Sequence, residues 1–214
     1  MQRAPGFVRD LVELILGYGL IVGVIWMPES LQRLCSPVVL VVTLAAVLAR
    51  RPSHDELGVG FRGLVSSLWI FPAAAAFALV SAAVAKHFGT LHPLYKGDLK
   101  HVAGYVLWTL YQQFLLNNYF MPRLGRILGS ASLAVGLAGI LFAAAHLPNP
   151  VLTIATLVWG IVSCALFLRY RNLYIMGLAQ GLLGLCIAVC VPDALHHHLR
   201  VGLGYLRYGA AAGK

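Results

Sequence analysis

Seven apolar runs, each long enough to cross a bilayer, dominate the chain: roughly residues 8–27, 32–49, 64–86, 101–120, 128–146, 151–168 and 173–191. A hydrocarbon core takes about 20 mostly apolar residues per helix. Backbone N–H and C=O groups in that core must be satisfied internally, so runs of this length can only be helices. Proline and charge punctuate them: Pro28-Glu29-Ser30 after the first run, Arg50-Arg51-Pro52 after the second, Pro122-Arg123 after the fourth and Leu147-Pro148-Asn149-Pro150 after the fifth. Pro192-Asp193 closes the seventh.

Composition agrees and removes the other classes. Hydrophobic residues make up 60% of the chain, charged residues 11%, and mean hydropathy is +0.82. Soluble domains carry roughly 25% charged residues, and the seven Asp/Glu here could not wet a globular surface. Disorder, collagen-like structure and an ordinary soluble enzyme are excluded. The fold expected is an all-α polytopic transmembrane bundle of seven spans, one integral membrane domain over 1–214 with no repeat or linker.

The net charge of +9 does not point to nucleic acid, because the basic residues stand singly or in pairs between apolar runs, where loops and headgroups want them. The partner expected is the bilayer itself. Alternate loops carry nine Lys/Arg (Arg3, Arg9, Arg50, Arg51, Arg62, Arg123, Arg126, Arg169, Arg171) against seven on the other side. That margin predicts a cytoplasmic N-terminus in a plasma or inner membrane. Met27-Pro28-Glu29, with no small-residue cleavage pattern before it, predicts a retained first helix. Cys35, Cys164, Cys186 and Cys190 lie in apolar stretches without metal-knuckle spacing and read as buried thiols.

In the tail from Asp193, Leu195, Leu199, Leu203 and Leu206 recur at helical spacing among His196-His197-His198, Arg200 and Arg207. An interfacial amphipathic helix is predicted there. Adjacent histidines on a helix point in different directions, so no metal is expected at the triplet.

Polar groups inside a membrane are costly and mark candidate sites. The fourth run holds the densest set, and Tyr105, Thr109, Gln112, Gln113 and Asn117 fall within an arc of about 140° on one helix face. The fifth run ends in Phe142-Ala-Ala-Ala-His146, and the seventh places Gln180 beside Gly177, Gly181 and Gly184, small residues that permit close helix approach. Amides in membranes also serve simply as interhelical glue, worth roughly 0.6–2 kcal/mol each. Three helices that each bring a Gln or His predict a shared binding cleft of Tyr105, Thr109, Gln112, Gln113, Asn117, His146 and Gln180. Glu13, the carboxylate picked out in the first run, is expected to pair with Arg9 one turn earlier.

The motifs at 112–117, 142–146 and 180–184 resemble those of the CAAX-protease and bacteriocin-processing family, glutamic intramembrane proteases related to the Rce1-type prenyl-protein endopeptidases. Family members carry Glu-Glu-x-x-x-Arg, then Phe-x-x-x-His, then His-x-x-x-Asn on three helices, with a glutamate activating water and His and Asn holding the oxyanion. The resemblance covers a core of about 100–191. The matching positions read Gln112-Gln113-Phe-Leu-Leu-Asn117, Phe142-Ala-Ala-Ala-His146 and Gln180-Gly-Leu-Leu-Gly184. Of the family's catalytic residues, His146 alone stands. The vestigial positions are Gln112, Gln113, Asn117, Gln180 and Gly184.

A carboxamide cannot take a proton near neutral pH, and no Asp or Glu lies between Leu99 and Pro192. The expected function is therefore a pseudo-protease that binds a membrane-protein partner, a lipidated peptide or a lipid-like ligand. It needs no cofactor or metal. Two alternatives stand beside it: an active endopeptidase using His146, with Ser163, Cys164, Thr153 or Thr156 conceivable as nucleophiles, and a pigment-bearing subunit with His101 or His146 as axial ligand.

Overall fold

The computed structural model describes residues 6–61, 63–95 and 97–208, and every regular element among them is helical. In chain order these are α1 (Phe7–Ile25), α2 (Glu29–Leu48), α3 (His54–Leu57), α4 (Leu64–Ser67), α5 (Ile70–His87) and α6 (Leu99–Phe114). A π-helical turn, π1 (Leu115–Phe120), follows, then α7 (Met121–Leu128), α8 (Ala131–Ala144), α9 (Pro150–Tyr170), α10 (Leu173–Cys190), α11 (Asp193–His196) and α12 (Gly202–Leu206). Glu29–Leu48, Leu64–His87, Pro150–Tyr170 and Leu173–Cys190 are long and apolar enough to cross a membrane, and Ala131–Ala144 is a shorter apolar helix. This is an all-α integral membrane protein. Local capping sets several starts: Ser130 accepts from Leu133 N–H for α8, Asn149 from Leu152 N–H for α9, and Asn172 from Ile175 N–H for α10.

The chain falls into two compact units, interleaved along the sequence. The first comprises Met1–Pro52, Leu115–Cys164 and Arg200–Lys214; the second comprises Ser53–Phe114 and Ala165–Leu199.

In the first unit α1 packs on α2, α7 and α12, and π1 lies against α2 and α8. Gly17 is where α1 meets the Tyr119 ring, since a Cβ at 17 would overlap it. The Glu13–Arg9 pair forms as expected, at 2.7 Å, but it is the rim of a larger network. Glu13 also accepts from Arg50 and Arg123, each at 2.8 Å, and Asp10 takes a two-pronged contact from Arg126 at 2.7 and 2.9 Å. Arg50 bridges to Asp10 at 2.7 Å. Asp10 is therefore a second carboxylate within the first span, and a more buried one than Glu13.

Two expectations change with this network. Pro122-Arg123 does not end the fourth helix, which continues through π1 into α7. Proline removes one N–H and its ring crowds the carbonyl four residues back. A wider π turn just before it, with Pro122 in the first turn of α7, absorbs both problems. Arg123 is then no loop cation: it is 1% exposed and salt-bridged to Glu13. Arg126 is likewise held by Asp10.

In the second unit α10 packs on α5 and α6. Gly63 (φ +79°) occupies the left-handed region directly against the Tyr170 carbonyl, where any Cβ would collide. The polar loop at 53–57 folds into α3 through a capping box: Ser53 Oγ accepts from Glu56 N–H at 3.2 Å, and Glu56 accepts from Ser53 N–H at 2.7 Å. Those bonds hold the Glu56 carboxyl below its ordinary pKa. A depressed carboxylate stabilises the fold above its unfolded pKa and loses that contribution as pH falls through its folded value. An NMR titration of Glu56 should give a midpoint below 4.5, and Ser53→Ala should return it toward that ordinary value. An unchanged midpoint in the variant would refute the box as the cause.

The tail corrects the amphipathic-helix expectation. Its described part is two short helices, α11 and α12, separated by a turn in which His197, His198 and Leu199 all have left-handed φ (47°, 54° and 59°). Residues 209–214 lie outside the described residues.

Candidate functional site

The second unit brings three of the expected site residues together. Gln112 and Gln113 end α6, and Gln180 lies mid-way along α10. The approach is set by the glycines of α10. A Cβ on Gly177 would stand 2.9 Å from Leu110 Cα and closer still to Leu110 Cδ2. One on Gly181 would be 3.2 Å from Thr109 Oγ1, and one on Gly184 would overlap the Tyr105 hydroxyl. Backbones that close let short polar side chains reach across. Thr109 Oγ1 donates to the Gly177 carbonyl at 2.9 Å.

At the centre, Gln113 Nε2 donates to Gln180 Oε1 at 2.6 Å, and Gln180 Nε2 donates to Gln112 Oε1 at 2.5 Å. The three amides thus form a directed chain in which the NH2 groups of Gln113 and Gln180 each meet a carbonyl oxygen. Gln113 is fully buried and Gln180 nearly so. Such a relay ties α6 to α10 and offers donors and acceptors at fixed positions. It holds no group that can accept a proton at neutral pH.

The first unit carries His146 and Asn117. His146 follows the last residue of α8, 8% exposed, with its ring edge-on to Phe142 at a centroid distance of 4.9 Å. Its Nδ1 lies 2.7 Å from the Phe142 carbonyl. A carbonyl only accepts, so Nδ1 carries the proton and Nε2 the lone pair. Asn117 is buried on π1. The conceivable nucleophiles are turned to their own helix: Thr153, Thr156 and Ser163 donate to the carbonyls of Asn149, Leu152 and Gly160, and Cys164 is fully buried. His101, in the second unit, is exposed beside Asp98, its Nδ1 2.5 Å from the carboxylate.

Sequence reasoning missed the ionic network of Asp10, Arg50, Arg123 and Arg126, in which Asp10 and Arg123 are buried. The signal was available: Asp10 and Glu13 lie three apart on one face of α1, and Arg123 and Arg126 repeat that spacing on α7. It also missed His92 and Asp193, whose sequence separation hides their proximity.

The chain matches no curated protein and no solved structure. Residues 99–186 match the Rce1-like type II CAAX prenyl endopeptidase family, a stretch that contains Gln112, Gln113, Asn117, His146, Gln180 and Gly184. Over residues 99–186, then, the chain is similar to the Rce1-like type II CAAX prenyl endopeptidase family.

Proposed function

We propose that this CAAX-protease-type membrane protein binds a prenylated or otherwise lipidated peptide without cleaving it. The observation that carries this reading is the amide relay Gln113–Gln180–Gln112, in which Gln112 and Gln113 stand where the resembling family carries its glutamates and Gln180 where it carries a histidine. Amides can accept from peptide N–H groups and donate to peptide C=O groups, but they cannot deprotonate water. The acyl or prenyl chain of such a ligand is at home among apolar helices, and its peptide groups find partners at the relay.

The test is equilibrium binding of a fluorescent farnesylated peptide ending in Cys-a-a-X to the protein in nanodiscs. Saturable binding above that of empty discs is expected, with the peptide recovered intact, and Gln180→Leu should weaken it several-fold. Binding no greater than to empty discs would overturn the reading. One observation favours a second reading, that of a hydrolase: the Nε2 lone pair on His146 is chemically a base.

A further inference from the structure

At the C-terminal ends of α5 and α10, the second unit gathers metal-ligating side chains that the glutamine relay does not use. The two ends are tied together: His92 N–H donates to the Val189 carbonyl at 2.9 Å and Thr90 Oγ1 to that of Cys190, also at 2.9 Å. Helix C-termini carry partial negative charge and favour a cation. One ligand atom each from His92, Asp193 and His196 lies within 4.8 Å of the others.

On a continuous helix the three histidines would diverge. Here Asp193 and His196 share one turn of α11, with His196 Nε2 3.5 Å from Asp193 Oδ1, and the left-handed residues after His196 fold the chain back so that His198 Nδ1 stands 2.9 Å from the same oxygen. Tyr95 stacks on the His198 ring at 3.9 Å. The Nε2 atoms of both His92 and His196 converge on the Val191 carbonyl, at 3.0 and 2.8 Å.

We propose that His92, Asp193 and His196 bind a zinc ion, with the fourth position left to water. Two imidazoles and a carboxylate suit this borderline ion. Bond lengths of about 2.0–2.2 Å put tetrahedral ligand atoms roughly 3.3–3.5 Å apart, which the Asp193–His196 separation already meets. Zinc entering between the imidazoles replaces two N–H···O contacts on the Val191 carbonyl with two Zn–N bonds. His92 has a carbonyl at each ring nitrogen, from Pro93 at Nδ1 and Val191 at Nε2, and gives up its Nε2 proton to solvent on loading. On His196, Nδ1 accepts from Leu199 N–H at 3.2 Å, so loading moves its proton from Nε2 to Nδ1 and releases that contact. The ion would staple the segment after α5 to the segment after α10.

The experiment uses the full chain, without a histidine tag, stripped with chelator in detergent and titrated with zinc against a chromophoric competitor. Cobalt is then substituted to read geometry. One zinc per chain and the strong visible absorption of tetrahedral cobalt are expected. His92→Gln and Asp193→Asn, on separate segments, should each weaken zinc by more than the ~10–100-fold that losing a mere second-shell partner costs. His101→Gln and His197→Gln should leave it unchanged. Thermal unfolding of each stripped variant verifies that it still folds. No stoichiometric uptake by the unmodified chain would overturn the proposal. So would uptake that survives His92→Gln and vanishes in His197→Gln, which would mean only a run of surface histidines.

Discussion

Glu13→Gln is expected to destabilise the protein by about 3 kcal/mol, the low end of the roughly 3–5 kcal/mol cost of removing one partner from a buried ion pair. Arg123 is 1% exposed and has Glu13 as its carboxylate, with the Tyr119 carbonyl at 2.7 Å as a further acceptor. The variant leaves a guanidinium buried without its counter-charge. The low end applies because Glu13 keeps one-fifth of its surface exposed and Asp10 still holds Arg50. Arg9→Ala should cost under about 1 kcal/mol, since that side chain is 62% exposed. Unfolding in mixed micelles measures both. Adding Arg123→Met to Glu13→Gln should recover most of the loss, because removing both charges removes the penalty. Equal losses for Arg9→Ala and Glu13→Gln would show that the burial of Arg123 does not matter.

The second large effect belongs to the α6–α10 contact. Gly177→Ala puts a methyl against the Leu110 Cα, so backbone and not merely a side chain must yield. Overpacking of that kind costs about 1–3 kcal/mol, and spreading the helices parts Gln113 from Gln180. Gly181→Ala, 3.2 Å from Thr109 Oγ1, needs a shift of only a few tenths of an ångström and should cost less. Gly104→Ala, with nothing within 4 Å, should be neutral or slightly stabilising. The measured order of the three is the test. A neutral Gly177→Ala would mean the helices are not pressed together there.

Four of the seven expected spans, Glu29–Leu48, Leu64–His87, Pro150–Tyr170 and Leu173–Cys190, were legible because hydropathy and proline punctuation report directly on local helix formation. The start of α10 after Asn172 and the apolar length of α9 follow from residues close in sequence. Pro122 misled because its effect depends on backbone register: after a π turn it begins a helix segment instead of ending one. Arg123 misled for a related reason. A lone arginine after an apolar run reads as a headgroup anchor, and only the approach of α1 supplies its acid. In the tail, leucine periodicity argued for one helix, but three consecutive non-glycine residues adopt left-handed φ, and nothing in their identities announces it.

The candidate site divides the same way. The motif order along 112–184 carried the resemblance to the family whose model matches 99–186, and the one-sided polar face of α6 pointed to Gln113. The direction of the amide relay depends on how α10 is rotated, which emerges from glycine packing and not from spacing. Gln112 and Gln180 are partners because Gly177, Gly181 and Gly184 let α6 come close.

Hydrolysis itself is the most direct measurement of the central claim. The purified protein in nanodiscs is incubated with farnesylated and membrane-anchored peptides, and products are followed by mass spectrometry. Positioned base catalysis contributes about 10²–10⁴ in rate, and each oxyanion donor lost commonly costs about 10²–10³. With glutamines at 112, 113 and 180, the account predicts peptide recovered uncut. Cleavage that disappears in His146→Ala would contradict it and establish His146 as the working base of an active endopeptidase.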